Sequence, residues 1–298
     1  MTGDRAGLTY REDCFDDPGG WAAVKALLLT VFDVDVSPLE RMGGRDRTLM
    51  SSAWFDGSGR CVANLSAFAM PLLIDGRPVD AAGLQSGAVL PEYRGRGLFR
   101  ALLRRTLQRC EERGFEAIVL YTDKPELYAP HGFAVLPEHR FVGPAPAPAA
   151  VDAKPSTRVL DMADAGDLSL LRDLLEAREP VSSRFAVCRN TQTFLLNTAL
   201  VEDMTLSFLP EYSAVVAWRQ QRAGETFALL DVVGARIPTL ASILQALALQ
   251  PQRVAVLFPP DRMAWTGDSL AEDGDLRFMM RGGPVPTGPF RLSPMAEF

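Results

Sequence analysis

Arg94, Gly95, Arg96 and Gly97 follow an apolar, β-rich run over residues 81–89 and precede an amphipathic helix. Strand, glycine-spaced turn and helix, in that order, build an anion cradle. The first backbone N–H groups of a helix have no intrahelical partner, and the aligned peptide dipoles favour negative charge there. Gly95 and Gly97 let the backbone come close to a phosphate and take up positive φ. The chemistry this turn can do is to hold a phosphate group on the backbone donors at the helix start. Arg96, Arg100 and Arg104 are spaced i, i+4, i+8 on one helix face. They form either a clamp for a second phosphate or a solvated face. Phe99, Leu103 and Leu107 form the stripe toward the core.

The elements that must position this turn are legible upstream and downstream of it. A short strand at 8–11 is followed by a helix at 18–32 with Trp21, Val24, Leu28 and Val31 on one face. Strands at 47–55 and 60–74 flank the turn Asp56-Gly57-Ser58-Gly59, and Asp75-Gly76-Arg77-Pro78 is a second hairpin turn feeding a strand at 79–89. A helix at 97–113 stops at Gly114. A strand at 116–121, a short helix near 125–129 and a strand at 133–142 follow. This order is a mixed α/β layer fold.

The run Gly143-Pro144-Ala145-Pro146-Ala147-Pro148-Ala149-Ala150 reads as an extended linker, because alternating proline suits neither a helix nor a central strand. It divides the chain into domains at 1–142 and 158–298, with 143–157 between them. The second half echoes the first: a strand at 158–160, helices at 165–178 and 191–201, and strands at 204–208, 213–219 and 227–233. A helix at 238–249, with Pro238 in its first turn, and a strand at 253–258 complete it. Leu168, Leu171, Leu174 and Leu175 point inward from the 165–178 helix. Where the first half has Arg-Gly-Arg-Gly, this half has Val233-Gly234-Ala235-Arg236-Ile237-Pro238. The scaffold repeats and the cradle does not.

Composition narrows the class. The chain has 298 residues, 47% hydrophobic and 23% charged, enough for a full core and two domains. A net charge of −6 and a pI near 5.1 argue against a general nucleic-acid or anionic-membrane binder. The cysteines Cys14, Cys61, Cys110 and Cys188 show no C-x-x-C spacing, and His131 and His139 are the two histidines, so no Cys/His metal site is expected. Isolated thiols without a signal peptide lead to the expectation of a reducing cytoplasm. No apolar run approaches the ~20 residues that span a bilayer.

The segment Val89-Leu90-Pro91-Glu92-Tyr93-Arg94-Gly95-Arg96-Gly97 with its helix, and the downstream Leu127-Tyr128-Ala129-Pro130-His131-Gly132-Phe133, resemble the GNAT superfamily of acetyl-CoA-dependent N-acetyltransferases. The first follows that family's Arg/Gln-x-x-Gly-x-Gly/Ala, taken as Arg94-Gly95-Arg96-Gly97-Leu98 with the first spacing one residue short. The second follows its Tyr-x-x-x-Gly-Phe. The tandem layout is similar to the enhanced-intracellular-survival type, with a degenerate second GNAT-like half. That type carries a third, sterol-carrier-like domain, which 298 residues are too few to hold. The active-site role of the C-terminal carboxylate in those relatives is therefore not carried over to Phe298.

The resemblance implies acetyl-CoA as co-substrate. Gly87, Ala88 and Val89 would bond the pantetheine amides like an added strand. Arg94, Gly95, Arg96, Gly97, Leu98, Phe99 and Arg100 would hold the pyrophosphate, and Tyr128 would be the general acid that protonates the leaving thiolate. A hydroxyl donor eases thiolate departure from a tetrahedral intermediate, and a phenol suits that task. The plainer reading of Tyr128 is a cleft aromatic whose hydroxyl bonds backbone. The base that frees the attacking amine is not identified. His131 suits a structural loop role, Glu126, Asp123 and Asp33 read as surface carboxylates, and Cys61 and Cys110 read as buried thiols.

Two functions follow. One is direct acetyl transfer to a primary amine in a ternary complex, the acceptor being a small molecule or a peptide, with polyamines, aminoglycosides and peptide N-termini as cationic examples. The other is a non-catalytic acyl-CoA-binding sensor or partner protein. The second half would shape the acceptor pocket. Nucleic acid, membrane and metal are not expected, and the oligomeric state, a homo-oligomer included, is open.

Overall fold

The computed structural model describes residues 7–147, 157–221 and 226–298. Residues 148–156 of the expected linker lie outside them. In chain order the elements are β1 (Thr9–Glu12), α1 (Pro18–Phe32), α2 (Pro38–Arg41), β2 (Met50–Phe55), β3 (Cys61–Ala69), β4 (Leu72–Ile74), β5 (Arg77–Val79), β6 (Ala81–Val89), α3 (Leu98–Glu112), β7 (Ala117–Thr122), β8 (Ala134–Val135) and β9 (His139–Pro144). There follow β10 (Arg158–Val159), α4 (Ala165–Glu176), β11 (Phe185–Val187), α5 (Thr191–Leu200), β12 (Thr205–Leu209), β13 (Ala214–Gln221), β14 (Thr226–Gly234), α6 (Leu240–Ala246), β15 (Arg253–Val256), β16 (Asp268–Ala271) and β17 (Arg277–Gly282). Among the described residues no helix is long and apolar enough to cross a membrane.

Two large mixed sheets carry the fold, in the orders β1-β2-β3-β6-β7-β17-β8 and β10-β12-β13-β14-β15-β9-β16, and β11-β4-β5 form a small third sheet. The sheets do not part at the linker. The segment expected as one strand at 133–142 is two strands in different sheets. Pro137 has no N–H to give a ladder, so pairing stops after β8, and the chain crosses to enter the second sheet as β9. In return β17, from the C-terminal part of the chain, enters the first sheet between β7 and β8. The sequence carries no local signal for that exchange.

Proline also breaks the run expected at 60–74. β3 ends at Ala69, Pro71 intervenes, and β4 turns away to pair with β5 and β11. The expected 79–89 strand likewise begins as two pieces, β5 and β6. The helix expected at 238–249 is shorter, because Pro238 stays outside it and Thr239 caps it, its side chain accepting from the Ser242 N–H at 3.1 Å.

Each large sheet is covered on both faces. On one face of the first sheet α1 and α3 bury Val24, Leu27, Leu28, Leu98, Leu102, Leu103, Leu107 and Cys110 against Ile118 and Leu120 of β7. The opposite face packs Val119, Phe68, Phe185 and Phe278 with Phe290, Leu292 and Ala296 of the C-terminal segment. In the second sheet Leu171 and Leu175 of α4 are buried as expected, while Leu168 and Leu174 are half-buried at the edge of the same cluster.

The C-terminal segment is a strap across both halves. Asn197 Nδ2 donates to the carbonyls of Pro294 and Glu297, and Asn190 Nδ2 to that of Met295. Behind it Arg178 and Asp231 form an ion pair at 2.8 Å whose side chains are 1% and 0% exposed. Ser293 Oγ donates to the other Asp231 oxygen at 2.8 Å.

Candidate active site

The parallel ladder between β6 and β7 is short. It runs through Ala81↔Ala117, Ala82↔Ile118 and Gly83↔Val119, and beyond that point the strands part. On its other edge β6 pairs with β3, and the register shifts between Asn64 and Ser66. Ser86 lies in that bulge at φ 60°, and Asn64 Nδ2 pins it by donating to the Ser86 carbonyl at 3.0 Å. Gln85, Ser86 and Gly87 are half-buried, whereas Ala81 to Leu84 are buried. The result is a wedge-shaped opening whose β6 side, over Gly87, Ala88 and Val89, is free of a strand partner on the β7 side.

The turn that leaves β6 has the cradle form. Pro91–Tyr93 make one 3₁₀ turn, Arg94 is extended, and α3 begins on Gly97. Gly95 and Gly97 have φ of 75° and 71°, and a Cβ on either would meet nothing within 4 Å. The space over both glycines is therefore open. Gly97 has no side chain to cap α3, whereas Asp17 and Asp164 cap α1 and α4 with their carboxylates. Ala101 N–H is the first donor of α3 to bond back, to the Gly97 carbonyl at 3.2 Å.

The rim is fixed by side chains. Arg94 Nε donates to the Val89 carbonyl at 3.3 Å, and Arg96 donates to the Glu92 carbonyl at 3.2 Å with its guanidinium 4.8 Å from the Tyr93 ring centre. Arg96 therefore precedes the helix and turns back on the loop, so it is not in one helical row with the other two arginines. Arg100 and Arg104 are exposed and have no carboxylate partner among the described residues. Arg105 and Arg109, by contrast, bond Glu12 and Asp13. His131 stands beside the unpaired arginines. Burial first, then the charges of Arg100, Arg281 and Arg104, hold its pKa below the ordinary value.

Tyr128 closes the α3 side of the opening. It is 8% exposed, and its ring meets Phe99 and Phe133 edge-on at 5.7 and 5.9 Å. Its hydroxyl is 3.3 Å from the point a Cβ of Gly87 would occupy. Burial, and secondarily the charge of Asp123, push its pKa up to about 12. The phenol thus keeps its proton at neutral pH and is a standing donor at the mouth of the wedge. With Arg94 taken three residues before Gly97, the turn keeps the motif's full spacing, and Phe99 stands where a second small residue would. Its ring supports Tyr128.

The other residues singled out in the sequence fall outside this opening or are inert. Asp33, Asp123 and Glu126 are exposed. Burial pushes the Cys61 and Cys110 thiols up to about 12 and about 11, which keeps them protonated. Phe298 packs edge-on against Phe68 at 5.1 Å, over Gly83 where the strands begin to part. Among the described residues the second half has no counterpart to the cradle, since Thr239 occupies the cap of α6.

The acetyltransferase (GNAT) domain family matches residues 17–136, which contain α1, the cradle, Tyr128 and β8. No curated protein matches the chain. The fold is similar to that of a GCN5-related N-acetyltransferase from Kribbella flavida (19% identity, 94% of this chain and 72% of that one, TM-score 0.57). It is also similar to Eis1 from Mycobacterium abscessus (15% identity, 92% and 73%, TM-score 0.59). A GCN5-related N-acetyltransferase from Anabaena variabilis aligns at 15% identity over 92% and 72%, with a TM-score of 0.56. These identities show a shared fold. Residues 17–136 match the GNAT acetyltransferase domain family, and the chain as a whole shares the fold of these neighbours.

Proposed function

We propose that this protein is an N-acetyltransferase, moving an acetyl group from acetyl-CoA to a primary amine by direct attack in a ternary complex. The observation that carries the reading is one juxtaposition: an uncapped helix start with open space over Gly95 and Gly97, next to an opened strand pair that holds the Tyr128 hydroxyl. The backbone donors of residues 95–100 hold the pyrophosphate, with Arg100 and Arg104 as the free cations beside it. The open edge of Gly87, Ala88 and Val89 bonds the pantetheine amides as an added strand would. That places the thioester at the bulge, with its sulfur toward Tyr128.

In the reaction the amine nitrogen bonds to the carbonyl carbon, and the carbon–sulfur bond then breaks. Tyr128 donates to the sulfur as charge gathers on it. The first half, 1–142, carries this chemistry. The half from 158, joined through 143–157 and degenerate in its own cradle, supplies the strap and shapes the acceptor side as the second of two tandem GNAT-like domains. The acceptor is a small-molecule or peptide amine. The free thiols of Cys14, Cys61, Cys110 and Cys188 suit a reducing, cytoplasmic setting.

The test is a calorimetric titration with acetyl-CoA, followed by a free-thiol release assay over a panel of primary amines. Binding with turnover is expected. No binding overturns the reading, and binding without turnover on any amine makes the protein a non-catalytic acyl-CoA sensor or partner subunit.

A further inference from the structure

We propose that the Tyr121 hydroxyl and the Glu138 carboxylate form a relay that takes the proton from the attacking ammonium, an inference that rests on the acetyl-transfer reading above. Tyr121 stands two residues past Val119, the last residue of β7 paired with β6, so it is the first side chain on that face beyond the parting of the strands. Its ring faces Phe278 at 5.3 Å and Phe298 at 6.0 Å, on the sheet face opposite to Tyr128. The two phenols therefore flank the opening from opposite sides. If sulfur leaves toward Tyr128, an amine that attacks from the other side meets Tyr121.

Tyr121 is bonded to a base. Its hydroxyl donates to Glu138 Oε1 at 2.8 Å, and the Leu292 N–H donates to the same oxygen at 2.8 Å. Glu138 lies in the crossover between β8 and β9, so β7, the crossover and the C-terminal strap all meet at it. It forms no ion pair among the described residues. The nearby Arg291 is bonded to Glu272 and Glu297, and Arg140 reaches Glu272 at 3.4 Å. The groups facing Glu138 are thus Tyr121 from the strand, and Arg291, Glu297 and the Leu292 N–H from the strap. Burial is the largest influence and lifts the carboxyl to about 7. The Leu292 N–H, Arg291 and Tyr121 act against it, and Glu297 acts with it. A base with that pKa is suited to neutral solution.

The proton balance closes. A primary ammonium carries three protons and the amide product one. The first passes to the Tyr121 oxygen as the Tyr121 proton moves to Glu138 Oε1, freeing the lone pair that forms the carbon–nitrogen bond. The second leaves nitrogen as the carbon–sulfur bond breaks, and through water it replaces the proton Tyr128 gives to sulfur. Glu138 returns its own proton to solvent. Glu138 acts through Tyr121 and does not touch the amine.

The experiment compares wild type with Glu138→Gln and Tyr121→Phe in acetyl-CoA turnover with spermidine, tobramycin and a peptide with a free N-terminus, across pH. For wild type, kcat/KM should climb to a plateau above about 7, the pKa of Glu138. In both variants the plateau should vanish, leaving a unit-slope rise toward the pKa of the amine and a loss of ~10²-fold or more at neutral pH. Calorimetric affinity for acetyl-CoA should be unchanged. The relay is overturned if either variant keeps the wild-type acid limb and its neutral-pH kcat/KM. Tyr121→Phe keeps the ring packing, so it decides alone if Glu138→Gln does not fold. Wild type inactive on every amine would instead overturn the acetyl-transfer reading, and the relay with it.

Discussion

The Tyr128 hydroxyl stands 3.3 Å from where a Cβ of Gly87 would be, so the strand and the phenol are fitted to each other with no room for a methyl group. That Cβ would also lie 3.2 Å from the Phe99 ring and 3.3 Å from Leu65. Gly87→Ala should move Tyr128 by a few tenths of an ångström. Overpacking of this kind costs about 1 kcal/mol or more in stability. Displacement of a donor at the reacting centre should lower kcat by ~10-fold. Steady-state kinetics with a thermal melt checks both, and a wild-type kcat would show that the hydroxyl has no part in the chemistry.

Tyr128→Phe removes only the donor. Phe99 and Phe133 hold the ring edge-on, so the variant should fold and bind acetyl-CoA as wild type does. Loss of a proton donor to the leaving group typically costs ~10²–10⁴-fold in rate. The measurement is kcat beside a calorimetric Kd. A fall in affinity with kcat intact would make Tyr128 a wall of the binding site.

Much of this site was legible in the sequence because its parts are local. Asp17 and Pro18 mark the start of α1, which runs over residues 18–32 as the pattern indicates. Gly95, Gly97 and Gly114 bracket α3, and each adopts the positive φ that glycine permits. The strand exchange was not legible, because the pairing of β17 with β7 joins residues over 150 positions apart and leaves no periodic trace. Pro137 was the available signal that 133–142 could not be one strand. Tyr121 was hidden for a related reason. In sequence it ends an ordinary β run, and only the crossover brings Glu138 to it.

Gly97→Ala tests the cradle. The added methyl would meet nothing within 4 Å, so its cost is conformational. Holding an L-residue near φ 71° costs roughly 1–2 kcal/mol, and asparagine tolerates that region better. Gly97→Ala should therefore melt earlier and bind acetyl-CoA more weakly, with Gly97→Asn recovering part of the stability. Equal melting points for the three proteins would mean that the turn relaxes to another conformation.

Arg178→Met tests the anchor behind the strap. It leaves Asp231, 0% exposed in its side chain, as a buried carboxylate whose remaining donors are Ser293 and the Val232 N–H. Breaking a buried pair from one side typically costs ~3–5 kcal/mol, whereas replacing both partners by apolar residues is often close to neutral. Urea unfolding should therefore show a larger loss for Arg178→Met than for the double variant Arg178→Met, Asp231→Leu. The reverse order would assign the stability to Arg178 itself and its bond to Asn190.

Glu138 also predicts a pH dependence of stability that needs no substrate. Burial is the chief cause that raises its carboxyl from 4.5 to about 7, and Glu297 is raised for the same reason. A group with a raised folded-state pKa holds its proton longer in the folded chain than in the unfolded one. Its contribution is fully present below 4.5 and is lost as pH climbs through 4.5 to about 7, because folding then requires a charge to be buried. Asp17, Asp35, Asp56 and Asp167 have lowered pKa values, and their opposite contributions fall below that window. Between 4.5 and about 7 the wild-type Tm should therefore fall with pH relative to that of Glu138→Gln, while the lowered pKa of His131 acts in the opposite sense in both proteins. Parallel curves would mean that Glu138 ionises like a surface carboxylate, and with that the case for it as a base matched to neutral pH would be lost.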